Sequence, residues 1–174
     1  MVWTNDDGLR VKFGLDKAVH RNIGAYTNFG PVHQLEILVD HSELPAVADG
    51  QVILNDAFAI PAGALIEDVE VMVPTEAVDS AGDALTFCLG GIDQDRSSNA
   101  DTDGFIVDAT QAELNAGGEN TAGWVGAYVG TTLSTSKLLT WEVNAAAATA
   151  GTFTIRIRWS VPPKNEDTLA WSKS

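Results

Sequence analysis

The clearest structural signal in this 174-residue chain is the run Phe153-Thr154-Ile155-Arg156-Ile157-Arg158-Trp159-Ser160, which Pro162-Pro163 follows. Large apolar side chains alternate there with polar ones. Because successive side chains of a β-strand point to opposite faces, this alternation predicts a strand with one buried side and one side facing water. The two prolines cannot continue a paired strand, so we expect it to end before them.

Shorter runs of the same kind occur along most of the chain, separated by Gly, Pro, Asn and Asp. The alternation slips once between Ile66 and Val69, which predicts a β-bulge, and we expect Pro74 and Gly90-Gly91 to end their strands. With residues 153–160 there are about nine strands, which predicts an all-β fold, an antiparallel β-sandwich of jelly-roll type. The other predicted strands cover residues 9–13, 32–39, 51–54, 57–60, 65–73, 84–89, 124–129 and 138–143.

One short helix interrupts this pattern. Asp108 is the predicted N-cap, Gln111 would complete a capping box, and residues 109–116 are good helix formers ahead of Gly117-Gly118. The alanine-rich residues 145–151 allow either a helical turn or a bend. Helices do not recur between consecutive strands, which argues against a parallel sheet.

Chain length predicts how the molecule is divided. Domains usually contain about 100–200 residues, so we expect one β-sandwich domain over residues 1–174. A short N-terminal arm of about residues 1–8 and a polar C-terminal tail of about residues 164–174 are expected at its ends.

The charge balance excludes several classes of function. Ten Lys and Arg residues stand against 24 Asp and Glu residues, a net charge of −14. Binding to nucleic acid or to an anionic membrane surface depends on basic residues, so neither partner is expected. No apolar run approaches the length of a membrane span, and no basic and apolar secretory signal is visible, so synthesis without export is expected.

The acidic loop between residues 93 and 104 offers a weak metal site. Asn99, Asp101 and Asp103, with Gly104 after them, match the first half of a calcium loop, in which oxygen ligands surround a tight turn. The match then fails, because Thr110 occupies the position where such loops carry a bidentate Glu. A solvated surface loop is the favoured interpretation, and no cofactor is expected; calcium remains the alternative.

Other chemically active side chains are scattered. His20, His33 and His41 have no spacing typical of metal ligands, and Cys88 lies inside an apolar strand, where a buried thiol is expected. The lone cysteine cannot form an intrachain disulfide. No serine stands in a G-x-S-x-G sequence, so a nucleophilic enzyme is disfavoured.

The five tryptophans fall into two groups. Trp124, Trp141 and Trp159 lie in predicted strands and are expected in the core. Trp3 and Trp171 lie near the termini in polar surroundings, where an aromatic side chain is either an interface anchor or covered by the folded-back chain. Trp3, Trp171 and the neighbouring Leu169 are the interface candidates.

Several turns carry a resemblance to a known class of protein. The segments are Ile60-Pro61-Ala62-Gly63-Ala64-Leu65-Ile66, Leu85–Gly90, Asp101-Thr102-Asp103-Gly104-Phe105 and Ala148-Thr149-Ala150-Gly151-Thr152 leading into residues 153–157. In this order they resemble small virion structural proteins of tailed bacteriophages, over about residues 50–160. The resemblance implies a capsid decoration (cement) protein with a jelly-roll-like β-sandwich.

The same resemblance implies a function and partners. Such a protein would be made in the host cytoplasm, would stabilise the outer surface of the virion capsid as a homotrimer bound to the major capsid protein, and would have no catalytic residues. Three alternatives remain, and the sequence favours them in this order: a glycan-binding β-sandwich of a head fibre or tail adhesin, a coat subunit with a single jelly roll, and an enzyme. The glycan-binding alternative would use exposed aromatic side chains, for which Trp3, Tyr26, Tyr128 and Trp171 are available.

Overall fold

The computed structural model describes residues 2–4, 10–12, 23–29, 32–44, 52–54, 58–96, 100–116, 118–119 and 124–161. In 2–4, 10–12, 23–29 and 118–119 only the backbone is described. The strands are β1 Val2–Thr4, β2 Arg10–Lys12, β3 Ile23–Phe29, β4 Val32–Asp40, β5 Val52–Ile53, β6 Ala59–Ile60, β7 Leu65–Asp79, β8 Thr86–Asp93, β9 Asp101–Thr110, β10 Gly118–Glu119, β11 Lys137–Asn144 and β12 Ala148–Ser160. A 3-10 turn covers His41–Glu43, and the helix α1 covers Gln111–Ala116.

The strands pair in nested order, so that the chain resembles one long hairpin rolled up on itself. β4 pairs with β12, β5 and β6 with β11, β7 with β10, and β8 with β9, all antiparallel. Three further pairs, β12 with β7, β4 with β3 and β11 with β8, assemble these ribbons into sheets ordered β10-β7-β12-β4-β3 and β5-β11-β8-β9. This double-sheet arrangement is the jelly roll that the sequence predicts.

β12 lies at the centre of its sheet, as the alternation in residues 153–160 indicated. It pairs with β4 on one side and β7 on the other, and its side chains alternate between buried and partly exposed. The apolar members, Phe153, Ile155, Ile157 and Trp159, are all buried. The predicted strand is therefore confirmed, and it ends at Ser160.

Both sheets contribute to one hydrophobic core. The ring of Phe87 on β8 meets Phe153 on the facing sheet edge-to-face at 5.3 Å, and meets Trp141 within its own sheet at 6.5 Å. Such edge-to-face pairs stabilise by about 0.5–1.5 kcal/mol beyond the area they bury. Trp124, Trp141 and Trp159 are all buried in this core, as predicted.

β7 contains the predicted bulge, and its pairing with β12 shows further register shifts toward its far end. Trp159 pairs with Ile66 and Arg158 with Asp68, so one extra residue of β7 is accommodated where the alternation slips. The prediction that Pro74 ends this strand is wrong, because β7 continues to Asp79. Its partners there show a register shift, and a bulge tolerates a residue that cannot donate a backbone hydrogen bond.

β8 also continues past its predicted end. Gly90 and Gly91 lie inside the strand, which reaches Asp93. A Cβ atom on Gly90 would overlap the backbone of Asp101 and Thr102, so the glycine is needed for the close approach of β9 and not as a strand terminator.

The helix exists but begins later than predicted. Asp108 lies within β9 at a φ of 42°, and it is not the N-cap. The capping box forms two residues later, at Thr110: Glu113 Oε2 accepts a hydrogen bond from Thr110 N at 2.8 Å, and Thr110 Oγ1 accepts one from Glu113 N at 3.3 Å. Pairing of β9 with β8 as far as Thr110 excludes the earlier start.

The helix closes an edge of the first sheet. Asn115 Oδ1 accepts a hydrogen bond from Ala77 N at 2.7 Å, and Asn115 Nδ2 donates one to Ala77 O at 3.0 Å. The side-chain amide thus takes the place of a neighbouring strand along the far end of β7. Covering an edge in this way removes a template for unwanted strand pairing.

One other predicted strand is wrong, and one open alternative is decided. Residues 124–129 form turns joined to β9 and not a regular strand. The alanine-rich run is a bend with Ala145 at a φ of 66°, after which β12 begins at Ala148. Near the N-terminus β1 pairs with β2, and the C-terminal tail lies outside the described residues. The single-domain boundaries remain predictions.

Candidate functional site

A wide bulge of β9 builds one end of the sandwich. Leu89 pairs with Ile106 and Gly91 with Asp101, so Thr102–Phe105 lie opposite the single residue Gly90. A bulge of this kind turns side chains away from their regular positions. It therefore places Asp101 and Asp103, two of the predicted calcium ligands, at this end of the sheet.

Glycines allow a neighbouring loop to pack tightly on the bulge. Tyr128 N donates a hydrogen bond to Gly104 O at 2.8 Å, and Gly126 N donates one to Phe105 O at 3.1 Å. The Tyr128 ring lies directly over Gly104, where a Cβ atom would be 2.8 Å from the ring carbon Cζ. The ring also meets Phe105 edge-to-face at 5.1 Å, so it is held on several sides.

Beside this ring lies a buried ion pair. Lys137 Nζ is 2.7 Å from Asp93 Oδ1, and their side chains are only 7% and 6% exposed. The ammonium group is 5.6 Å from the centre of the Tyr128 ring, a cation–π distance. Thr135 Oγ1 donates a further hydrogen bond to Asp93 Oδ1. A charged pair removed from water in this way requires close partners on both groups.

The two carboxyl groups of the bulge interact with each other. A hydrogen bond to Asp101, burial and the Asp101 charge raise the pKa of Asp103. Burial, with the charge of Asp101 and a hydrogen bond to it, likewise raises the pKa of Tyr128. A carboxyl with a raised pKa carries less negative charge than a free one near its titration range.

The weak calcium candidate receives no test from this geometry. Asn99 lies outside the described residues, whereas Asp101 and Asp103 are brought together. Among the residues that the structure describes, no three His, Cys, Asp or Glu side chains are grouped to hold a metal ion. Calcium binding by the Asn99–Gly104 segment stays the untested alternative to a solvated surface loop.

The outer face of the first sheet carries a second polar arrangement, in rows that cross β4, β12 and β7. Arg156 lies between Glu36 and Glu70, with Nη2 at 3.0 Å from one carboxylate and Nη1 at 2.7 Å from the other. In the next row Arg158 Nε donates to Asp68 Oδ2 at 2.9 Å. These partly exposed pairs join three adjacent strands, which favours a stiff sheet surface.

Apolar side chains lie on the same surface beyond the charged rows. Thr154 pairs with Leu38 on one side and Met72 on the other, and Leu38 is 46% exposed. Val78, farther along β7, is 47% exposed. Isolated exposed aliphatics are common on protein surfaces, but these lie on sheet positions that a flat partner could reach.

The structure describes the remaining candidate residues only in part. Trp3 lies in β1 opposite Val11, its side chain is not described, and Leu169 and Trp171 lie outside the described residues. The structure therefore does not test the three interface candidates. His20 is also outside the described residues, while His33 stacks on Trp159 at 5.6 Å and burial lowers its pKa.

The thiol of Cys88 is buried, as predicted. Its Sγ lies 3.2 Å from Asp108 Oδ1, to which it donates, and it accepts a hydrogen bond from Asp108 N at 3.4 Å. Burial raises the pKa of this thiol to about 12, and the Asp108 and Glu142 charges act in the same direction. A thiol of this kind is a poor nucleophile near neutral pH.

These features define an all-β protein with a jelly-roll-like antiparallel sandwich. In the described part of the chain, no helix has the length and apolar character needed to cross a membrane. The sequence matches no protein-family model and no curated protein.

The fold is similar to chains of phage capsid structures. A chain of the cyanophage Pam1 capsid asymmetric unit matches with a TM-score of 0.50 and 15% identity, over 91% of this chain and 98% of that one. A chain of the acidic stable capsid structure of Helicobacter pylori bacteriophage KHP30 matches with a TM-score of 0.49 and 15% identity, over 76% of this chain and 90% of that one. At such identity the similarity is one of fold.

Proposed function

We propose that this chain is a non-enzymatic virion structural protein that decorates and stabilises the outer surface of a phage capsid through protein–protein contacts. The observation that carries the proposal is the jelly roll itself, whose counterpart in the cyanophage Pam1 capsid asymmetric unit is covered over 98% of its length. The resemblance of the turns at residues 60–66 and 148–152 to small virion proteins supports the same function.

The outer face of the first sheet is the proposed docking surface. Its charged rows fix β4, β12 and β7 together, and the neighbouring row presents Leu38 and Met72 beside Thr154. A stable interface usually buries about 800 Å² on each partner and has an apolar centre with a polar rim. An exposed leucine at the border of charged rows fits that pattern.

The proposed partners are the major capsid protein and further copies of this chain, arranged as a trimer. Trp3, Leu169 and Trp171 would extend the contacts beyond the sandwich. A net charge of −14 supports a position that avoids packaged nucleic acid, since like charges repel. The protein would act on the virion surface without a resident cofactor.

One observation argues against the glycan-binding alternative at Tyr128. Stacking on a sugar needs an open aromatic face, whereas this ring packs on Gly104, meets Phe105 and lies near Lys137. Those contacts instead give the ring a structural part in supporting the bulge.

The test introduces a charge into the proposed docking surface. Leu38→Glu should leave the fold intact, because the side chain is 46% exposed, and should lower the number of copies retained on purified capsids. Ala112→Glu, at an exposed helix position, adds the same charge elsewhere and should retain full occupancy. If capsids retain equal numbers of copies of both variants, the outer face of the first sheet is not the docking surface. Absence of the unmodified protein from capsids would refute the proposed function.

A further inference from the structure

The buried Lys137–Asp93 pair has the geometry of two reactants. The two residues face each other directly on the neighbouring strands β11 and β8, and Nζ lies 2.7 Å from Oδ1. Both side chains are more than nine-tenths buried, and the Tyr128 ring lies 5.6 Å from Nζ. Water is therefore largely excluded from the contact.

Condensation of this pair requires its uncharged form. Two opposite charges lose their hydration inside a protein, and their attraction offsets that loss only partly. Transfer of one proton from Nζ to the carboxylate removes both charges and leaves a neutral amine beside a neutral carboxylic acid. That pair places an amine nucleophile in hydrogen-bond contact with the carboxyl group it would attack.

We propose that Lys137 Nζ and Asp93 Cγ condense to form an intramolecular amide bond, an isopeptide cross-link between β8 and β11. The amine lone pair attacks Cγ, a nitrogen–carbon bond forms, and the bond from Cγ to its hydroxyl oxygen breaks. That hydroxyl leaves with a proton from the amine as one molecule of water. No oxidant, reductant or further reactant is needed.

The surroundings of the pair assist this reaction. The Thr135 hydroxyl donates to Asp93 Oδ1 and would stabilise negative charge that develops on that oxygen as the amine attacks. Gly91 lies against the stem of Lys137, since a Cβ atom there would be 3.2 Å from Lys137 Cβ, and so limits the positions open to the side chain. The product is a neutral amide, which suits a buried position better than two charges.

The cross-link would join adjacent strands through a covalent bond inside the second sheet. Residues 93–137, which include β9, α1 and β10, would then form a closed ring. Closing a loop restricts the unfolded chain, as a disulfide does. The inference does not depend on the proposed function, although a cross-linked sheet would suit a protein that resists mechanical load.

The experiment measures the intact mass of the full-length protein and maps its tryptic peptides. The cross-linked protein should weigh about 18 Da less than its sequence requires, and a branched peptide should join the segments that contain Asp93 and Lys137. Lys137→Arg keeps the positive charge but should abolish both signals. Asp93→Asn should form the same amide, with ammonia released in place of water.

The same variants distinguish the cross-link from another reaction that lowers the protein mass by one water molecule. Aspartates that precede glycine can cyclise with the same change in mass, and they do so equally in Lys137→Arg. The Asp-Gly pairs of this chain are Asp7-Gly8, Asp49-Gly50 and Asp103-Gly104. The inference is overturned if the protein without substitutions has the full mass of its sequence and trypsin cleaves it normally after Lys137. The peptide map of the protein without substitutions decides whether the cross-link is present, even if a variant fails to fold.

Discussion

The stacking of Tyr128 on Gly104 gives a sharp prediction about the bulge. A Cβ atom at residue 104 would penetrate the ring, and it would be 2.8 Å from Cζ. Gly104 does not have a positive φ, so the backbone itself accepts alanine. Gly104→Ala should therefore destabilise the protein only through the ring, by about 1–3 kcal/mol, the usual range for overpacking.

Removing the ring should remove this effect. Tyr128→Ala deletes a half-buried aromatic side chain and should cost about 2 kcal/mol, less than a fully buried ring. In that background Gly104→Ala should be neutral or stabilise by about 0.5 kcal/mol, because alanine restricts the unfolded chain. The two substitutions should thus be strongly non-additive, with a coupling energy of about 1–3 kcal/mol.

Urea unfolding of the four proteins, followed by tryptophan fluorescence, measures this cycle. Gly126→Ala serves as the comparison, since its Cβ would overlap the backbone of Gly104 and not a side chain. Its cost should persist when Tyr128 is replaced. If Gly104→Ala destabilises equally with and without the ring, the packing described at the bulge is wrong.

Three further predictions concern other parts of the sandwich. Asn115→Ala should lower the free energy of unfolding by about 1–2 kcal/mol in urea, since it leaves the backbone N–H and C=O of buried Ala77 without their partner; unchanged stability would show that the edge does not need the amide. Native Cys88 should resist thiol reagents at pH 8 and react only on unfolding, because its pKa is raised to about 12, and rapid labelling of native protein would contradict its burial. The pKa of Asp103 is higher in the folded than in the unfolded protein, so ionisation of Asp103 opposes folding once the pH rises through the folded-state pKa. Asp103→Asn should therefore stabilise the protein at pH 7, and should lose this advantage at a pH below the unfolded-state pKa, where Asp103 is protonated in both states. Thermal unfolding at these two pH values measures the difference, and an equal effect at both would exclude the interaction with Asp101.

The elements that local pattern predicts best are those whose burial alternates without interruption. Residues 153–160 alternate through eight positions and form the centre of a sheet, and Leu35, Ile37 and Val39 do the same on β4. The same alternation already places Leu38 on the outer face, although its exposure could be judged only from the structure. Alternation identifies the face of a side chain and not what covers that face.

The errors arise where distant backbone decides the outcome. Gly90 and Gly104 look like turn residues locally, yet each makes room for a segment far along the chain. The start of the helix was misplaced because both Asp108 with Gln111 and Thr110 with Glu113 satisfy the capping pattern, and only the pairing of β9 selects the second. Tertiary contacts override local preference in such cases.

The candidate site shows the same limit. Asp101 and Asp103 were identified from their spacing, but the Lys137–Asp93 pair was not, because its members are separated by strands β9 and β10 in the chain. A lysine at the start of a predicted strand is usually solvated. Its burial follows from the register of β11 with β8, which no local pattern specifies.

The most direct test of the proposed function is an electron cryomicroscopy reconstruction of virions assembled with this chain. The proposal predicts density for the jelly roll on the outer surface of the capsid shell, seated on the major capsid protein as trimers, with the β4-β12-β7 face turned toward a neighbouring subunit. Density for the chain within the continuous shell would identify it as a coat subunit instead. Virions of full stability without any density for this chain would contradict the proposed function.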